Sequence, residues 1–114
     1  MAADFATAML IEQMAAAGRP PLHELSVEDA RALGPAMIEM QGPGPEMARV
    51  ENHSIPVEGG EIQLRVLDPK QPTRGVIVWY HGGGWVIGSV NESETLGRKL
   101  AERTSCAVVL VEYR

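Results

Sequence analysis

The stretch Gly75-Val76-Ile77-Val78-Trp79-Tyr80-His81-Gly82-Gly83-Gly84-Trp85 decides how the rest of the chain is read. The run Val76 to Tyr80 is apolar throughout, which suits a strand covered on both faces in a mainly parallel sheet. Three glycines follow at once. Lacking Cβ atoms, they leave backbone N–H groups open to the approach of a negative charge. After the glycines, Ser89 or Asn91 can cap a helix, because Glu92 and Glu94 each fall three residues later. Leu96 and Leu100 line one side of that helix, while Arg98, Lys99, Glu102 and Arg103 are expected to face water. Ala107 to Val111 is again continuously apolar, so strand, helix and strand form a βαβ crossover.

Upstream the periodicity changes. From Ala48, the positions Arg49, Glu51 and His53 alternate imperfectly with Val50, Asn52 and Ser54, and Ile55-Pro56-Val57 closes a strand. Glu58-Gly59-Gly60 is a turn signal, after which Ile62, Leu64 and Val66 alternate with Gln63, Arg65 and Leu67. This predicts an antiparallel hairpin with one wet face, ended by Pro69 and Pro72. Residues 4–17 read as an amphipathic helix capped by Asp4, with Phe5, Met9, Leu10, Met14 and Ala17 as its apolar positions and Gly18 and Pro20-Pro21 as its stop. A second helix starts at Ser26-Val27-Glu28-Asp29, a capping-box pattern, and either ends at Gly34-Pro35 or kinks there before Met37 and Met40. Gly42-Pro43-Gly44-Pro45 marks a boundary. The helices before it are either a mobile methionine-rich flap or ordinary helices packed on their own sheet. The organisation is thus a helical segment over 1–45 and an α/β core over 46–114.

The totals narrow the function classes. A chain of 114 residues is one small domain that buries roughly 65% of its unfolded surface. A formal net charge of −5 argues against nucleic acid and anionic membranes as partners. A single cysteine, Cys106, excludes an internal disulfide, and its place ahead of an apolar run predicts a buried, inert thiol. No run approaches the ~20 apolar residues of a membrane span. The opening residues lack a basic segment, and Asp4 and Glu12 interrupt any apolar stretch, so a cytoplasmic location is expected. His23 and His53 have no partners at metal-ligand spacing and read as surface histidines.

A glycine-rich turn between strand and helix serves two common chemistries. The dinucleotide fingerprint needs G-x-G-x-x-G, whereas Gly82, Gly84 and Gly88 give a pattern one residue too long. Glu112 ends the next strand, where a ribose-binding acid could stand, but His81 and Trp85 would crowd a pyrophosphate. The leading hairpin also does not belong in front of that fold. The other chemistry is acyl transfer, in which backbone donors stabilise a developing oxyanion.

The set His81-Gly82-Gly83-Gly84-Trp85, with Tyr80, Gly88-Ser89 and the later Val111-Glu112-Tyr113-Arg114, resembles the hormone-sensitive-lipase-type branch of the α/β-hydrolases. The resemblance runs from about Met47 to Arg114, and the two leading helices resemble that family's N-terminal cap. It implies an α/β sheet, a carboxylic-ester substrate of small size, and a reaction that needs no cofactor and no metal. It further implies that the N–H groups of Gly83 and Gly84 face the oxyanion, that Gly82 shapes the turn, and that His81 ties down the loop rather than serving as the base. A histidine that merely ends a strand is the plainer alternative. Trp85 would line the acyl pocket or pack under the cap; ordinary core packing is the other reading.

The family's reaction also needs a serine on a G-x-S-x-G elbow, then an acid, then a histidine, in that order. None of these is present: Ser54, Ser93 and Ser105 lie outside such a context, and Ser89 lacks the second glycine. The chain is therefore expected to be an N-terminal portion, catalytically incomplete alone, whose Val76–Tyr80 strand is left as an apolar edge. The missing C-terminal half is then a candidate partner. A truncated or split-gene product that acts only by association is the alternative function.

Overall fold

A computed structural model describes residues 3–113; Arg114, the last residue of the Val111-Glu112-Tyr113-Arg114 segment, lies outside the described residues. Strands β1 (Arg49–Val57) and β2 (Gly60–Asp68) form the antiparallel hairpin, with Arg49 opposite Asp68 and Val57 opposite Gly60. Strand β3 (Val76–Tyr80) leads through the glycine loop to helix α4 (Val90–Thr104), and the chain returns as β4 (Ala107–Glu112). The sheet order is β1-β2-β4-β3. Strand β4 runs antiparallel to β2 and parallel to β3, so the fold is the α/β arrangement that the apolar runs predict.

Helix α4 packs on one face of this sheet, against β4 and β2. Register places Leu67, Val108 and Ile77 in one row and Leu110 and Trp79 in the next, all on the α4 side. Leu67, Val108 and Leu110 are almost completely buried, with Val90 and Ala101 of α4 above them. The helix sits close because Gly97 faces the core: a Cβ there would lie 2.8 Å from a Leu67 methyl and 3.0 Å from a Leu110 methyl. Ser89 is the cap, its hydroxyl accepting from the Glu92 N–H at 3.2 Å. Asn91 instead lies inside the helix and accepts from Arg65.

Several sequence expectations are corrected here. Strand β3 is not covered on both faces: Ile77 and Trp79 are half-buried, but Val76, Val78 and Tyr80 are more than half exposed. The cause is topology, since β3 hydrogen-bonds only to β4 among the described strands, and α4 covers one face alone. On α4 the buried line is Val90, Gly97 and Ala101, and Leu96 is exposed. Arg98 does not face water; it bonds Glu94 at 2.6 Å and the Pro45 carbonyl at 3.2 Å. Cys106 is half-buried rather than buried.

The leading helices are α1 (Phe5–Ala16), α2 (Val27–Arg31) and α3 (Gly34–Gln41). Asp4 caps α1 by accepting from the Thr7 N–H at 3.0 Å. Yet α1 buries none of its residues, so its apolar positions form no packed face among the described residues. Gly34-Pro35 separates α2 from α3, because Pro35 suits a first helical turn and not an interior. Helix α3 docks on α4, and the Gly42–Pro45 linker is tied to the same helix: Thr95 donates to the Gly42 carbonyl and Arg98 to the Pro45 carbonyl.

Leu67→Ala should destabilise the chain by about 2–5 kcal/mol, the usual cost of truncating a fully buried leucine. Val78→Lys on the exposed face should cost far less and should raise solubility by charging the β3 edge. Urea unfolding and sedimentation of the two variants check both outcomes. The Asp4 carboxyl is held below its ordinary range, chiefly by the Thr7 backbone N–H. A lowered folded-state value stabilises above the unfolded one and is lost as pH falls through the folded one. Amide exchange in α1 should therefore accelerate on acidification below about pH 4, and Asp4→Ala should abolish that response.

Candidate functional site

Residues 81–89 join the C-terminal end of β3 to the N-terminus of α4 as a tight turn. The Gly83 carbonyl accepts from the Val86 N–H at 3.1 Å and from the Ile87 N–H at 3.0 Å, which closes the turn on itself. Gly83 has φ +138°, and a Cβ on it would fall 1.8 Å from the Ile87 carbonyl oxygen. Gly88, at φ +92°, is equally committed, for its Cβ would fall 2.2 Å from the Gly82 oxygen. Both positions require glycine. Trp85 also takes a positive φ, of +60°, a backbone region rarely occupied by a bulky residue.

His81 ends β3 with its side chain largely buried. Its Nδ1 lies 2.9 Å from the Gly82 carbonyl oxygen, which can only accept, so Nδ1 is the donor. The ring stacks on Tyr113 at 4.5 Å between centroids and 18° between planes. The Tyr113 hydroxyl donates in turn to the His81 carbonyl. The peptide bonds here are trans, so the Gly82 carbonyl and the Gly83 N–H point in opposite senses. Turning that carbonyl toward His81 turns the Gly83 N–H away from it. Among the described residues the N–H groups of Gly83, Gly84 and Trp85 meet no acceptor.

These donors border a shallow hollow of about 240 Å³, lined by Gly82, Gly83, Gly84, Trp85 and Tyr113. Beside it opens a larger cavity of about 1180 Å³, between the leading helices and the loop. Leu33, Met37, Met40, Val86 and Ile87 give that cavity an apolar wall. Trp85 borders both spaces and is 87% exposed, so it does no core packing. Arg31 of α2 donates to the Val86 carbonyl at 2.7 Å, which fastens the leading helices to the loop. Unpaired backbone donors beside an apolar cavity suit a ligand with an apolar body and a negative, or transiently negative, oxygen.

Residues 77–114 match the alpha/beta hydrolase fold family. Superposition on the hyperthermophilic esterase of the archaeon Pyrobaculum calidifontis covers 100% of this chain and 37% of that one, with a TM-score of 0.81 and 32% identity. The chain has the α/β-hydrolase fold. In sequence it is similar to an arylesterase of Saccharolobus solfataricus, 29% identical over 73 residues, which are 63% of this chain and 24% of that protein. It is also similar to an acetyl esterase of Salmonella schwarzengrund (strain CVM19633), 27% identical over 60 residues, 53% of this chain and 19% of that protein. The chain thus spans about a quarter or less of the length of the curated relatives it matches.

Four of the residues singled out from sequence, His81, Gly82, Gly83 and Gly84, lie together in the loop, with Trp85 at its rim. His23 and His53 stand apart and exposed, each beside a glutamate, Glu24 and Glu51. Three contributors were given no role in the loop from sequence: Arg31, and Glu112 and Tyr113 of the Val111–Arg114 segment. Arg31 meets the loop across the fold, and only tertiary contact reveals it. The end of β4 was a visible signal for Glu112 and Tyr113, because a parallel neighbour of β3 must finish beside the glycine turn.

Gly83→Ala should disorganise the turn, since no side chain can move to relieve a clash with backbone. Hydrogen exchange at the Val86 and Ile87 amides should accelerate by an amount equivalent to about 1–3 kcal/mol. Gly82→Ala, whose added methyl meets nothing within 4 Å, should leave those amides protected.

Proposed function

We propose that this chain is the oxyanion-loop portion of a serine carboxylic-ester hydrolase, with residues 1–45 as cap and 46–114 as the beginning of the hydrolase sheet. The reading is carried by one observation: among the described residues the Gly83 and Gly84 N–H groups lack acceptors, and they border a hollow beside an apolar cavity. Esters offer an apolar acyl body and a carbonyl oxygen that becomes negative during attack. In the complete hydrolase a serine would add to that carbonyl, forming a tetrahedral oxyanion held by Gly83 and Gly84. Collapse would expel the alcohol and leave an acyl-enzyme, which water would then release with a histidine as base. Trp85 would contact the acyl portion, and Gly82 and His81 would keep the loop in shape.

The 114 residues contain no G-x-S-x-G elbow, so the nucleophile and the acid–histidine pair must come from further sequence or from a second chain. The exposed Val76, Val78 and Tyr80 of β3 support such a neighbour, because an apolar strand with one open edge favours pairing. The same surface supports the alternative of a product that acts only by association. No described helix is long and apolar enough to cross a membrane. A cytoplasmic setting accords with the lone free cysteine.

The chain alone should neither hydrolyse p-nitrophenyl acetate nor react with a fluorophosphonate probe, since loss of the serine and histidine costs about 10⁶-fold in turnover. Supplied with the elbow-bearing segment, it should do both. Gly83→Ala or Gly84→Ala should then lower kcat by roughly 10²–10³-fold, the usual effect of losing an oxyanion donor. A reconstituted protein that labels normally but keeps full kcat in both variants would sink the oxyanion assignment.

A further inference from the structure

Glu112 makes two contacts that no sequence motif assigns to it. One carboxylate oxygen, Oε2, accepts from the Val90 N–H at 2.8 Å, at the start of α4. The other, Oε1, lies 3.5 Å from His81 Nε2, an ion-pair contact too long for a hydrogen bond. His81 Nε2 is itself buried without a hydrogen-bond partner, on a side chain only 9% exposed. A buried, unpaired ring nitrogen is costly unless a charge or a proton answers it.

The ring's two nitrogens must be considered together. Nδ1 faces the Gly82 carbonyl and must carry hydrogen. With hydrogen on Nδ1 alone, the Nε2 lone pair would face the negative Glu112 carboxylate. With hydrogen on Nε2 alone, the Nδ1 lone pair would face the Gly82 oxygen. The Nδ1 bond therefore fixes one side of the ring, and the Glu112 carboxylate stands against the other. We propose that Glu112 is the positioning residue of the glycine loop: its carboxylate stands against the Nε2 edge of the His81 ring while Nδ1 donates to Gly82, which keeps the Gly82 carbonyl turned inward and the Gly83 N–H turned out. Glu112 touches no reacting atom. It acts through His81, and it also couples the loop to the first turn of α4 through Val90. This inference rests on the ester-hydrolase reading only for its kinetic consequence; the positioning is a property of the loop itself.

The experiment is nitrogen-15 NMR of the chain and its Glu112→Gln variant, in which the side-chain amide oxygen can still accept from Val90. In the unaltered chain His81 Nδ1 should show the signature of a protonated, hydrogen-bonded ring nitrogen. In Glu112→Gln the His81 ring-nitrogen signals and the Gly83 and Gly84 amide resonances should shift, while Val90 stays in place. Glu112→Asp should restore part of the original spectrum. His81→Asn provides an independent check, because its amide nitrogen stands near the Nδ1 position and it has no Nε2 edge for Glu112 to hold. In that background, adding Glu112→Gln should leave the loop amides unmoved. In the intact hydrolase Glu112→Gln should lower kcat about 10-fold with KM unchanged, less than loss of a donor itself.

Unchanged ring nitrogens and loop amides in Glu112→Gln would overturn the proposal and leave Glu112 as a cap for α4. If Glu112→Gln fails to fold, an His81→Asn background that remains sensitive to Glu112→Asp overturns it equally. Absence of ester hydrolysis from the intact protein would remove the functional reading, while the spectra would still decide the role of Glu112.

Discussion

The close seat of α4 on the sheet is the constraint from which the rest of the structure follows. Gly97 removes the one side chain that would hold the helix off Leu67 and Leu110, and the buried row Leu67–Val108 and its neighbour Leu110 then seal under Val90 and Ala101. With α4 fixed, the residues that precede it have little freedom. They must travel from the end of β3 to Ser89 in a few steps. Glycines at 83 and 88 accommodate that path, because backbone atoms occupy the space where their side chains would be. The loop geometry is thus a consequence of helix packing as much as of its own composition.

A second layer of contacts ties polar groups to the same helix. Arg65 reaches from β2 to Asn52, Asn91 and Glu94, and Glu94 also holds Arg98, whose guanidinium fastens Pro45. These half-buried charges are paired on several sides, which limits the desolvation they suffer. They also give the Gly42–Pro45 linker fixed partners. The contrast with α1 is instructive: its cap is well formed at Asp4, yet none of its residues is buried. Local helix signals and tertiary anchoring are separate matters.

Much of the architecture was legible in the chain. The period-2 alternation and Glu58-Gly59-Gly60 define the β1–β2 hairpin, and the apolar runs around the glycine loop define the crossover. Turn and cap signals at Asp4, Ser26 and Ser89 each fall at a helix start. The errors share a cause. Val76–Tyr80 reads as doubly covered, Leu96 as buried and Arg98 as solvated, because periodicity reports a residue's chemistry and not what stands opposite it. Leu96 is exposed although apolar, and Arg98 is half-buried although charged, since the neighbours on each side of α4 differ.

The candidate site divides in the same way. Glycine content, the histidine and the adjoining strand were sufficient in sequence to mark a tight glycine turn, and backbone atoms at positions 83 and 88 indeed leave no room for a side chain. Which carbonyl His81 holds, that Trp85 stands in the open, and that Arg31, Glu112 and Tyr113 converge on the loop were decided by tertiary structure alone. The Arg31 and Tyr113 contacts join residues far apart in the chain, and that of Tyr113 follows from the parallel register that ends β3 and β4 side by side. Local sequence determines which backbone conformations are affordable; the three-dimensional arrangement determines which groups meet.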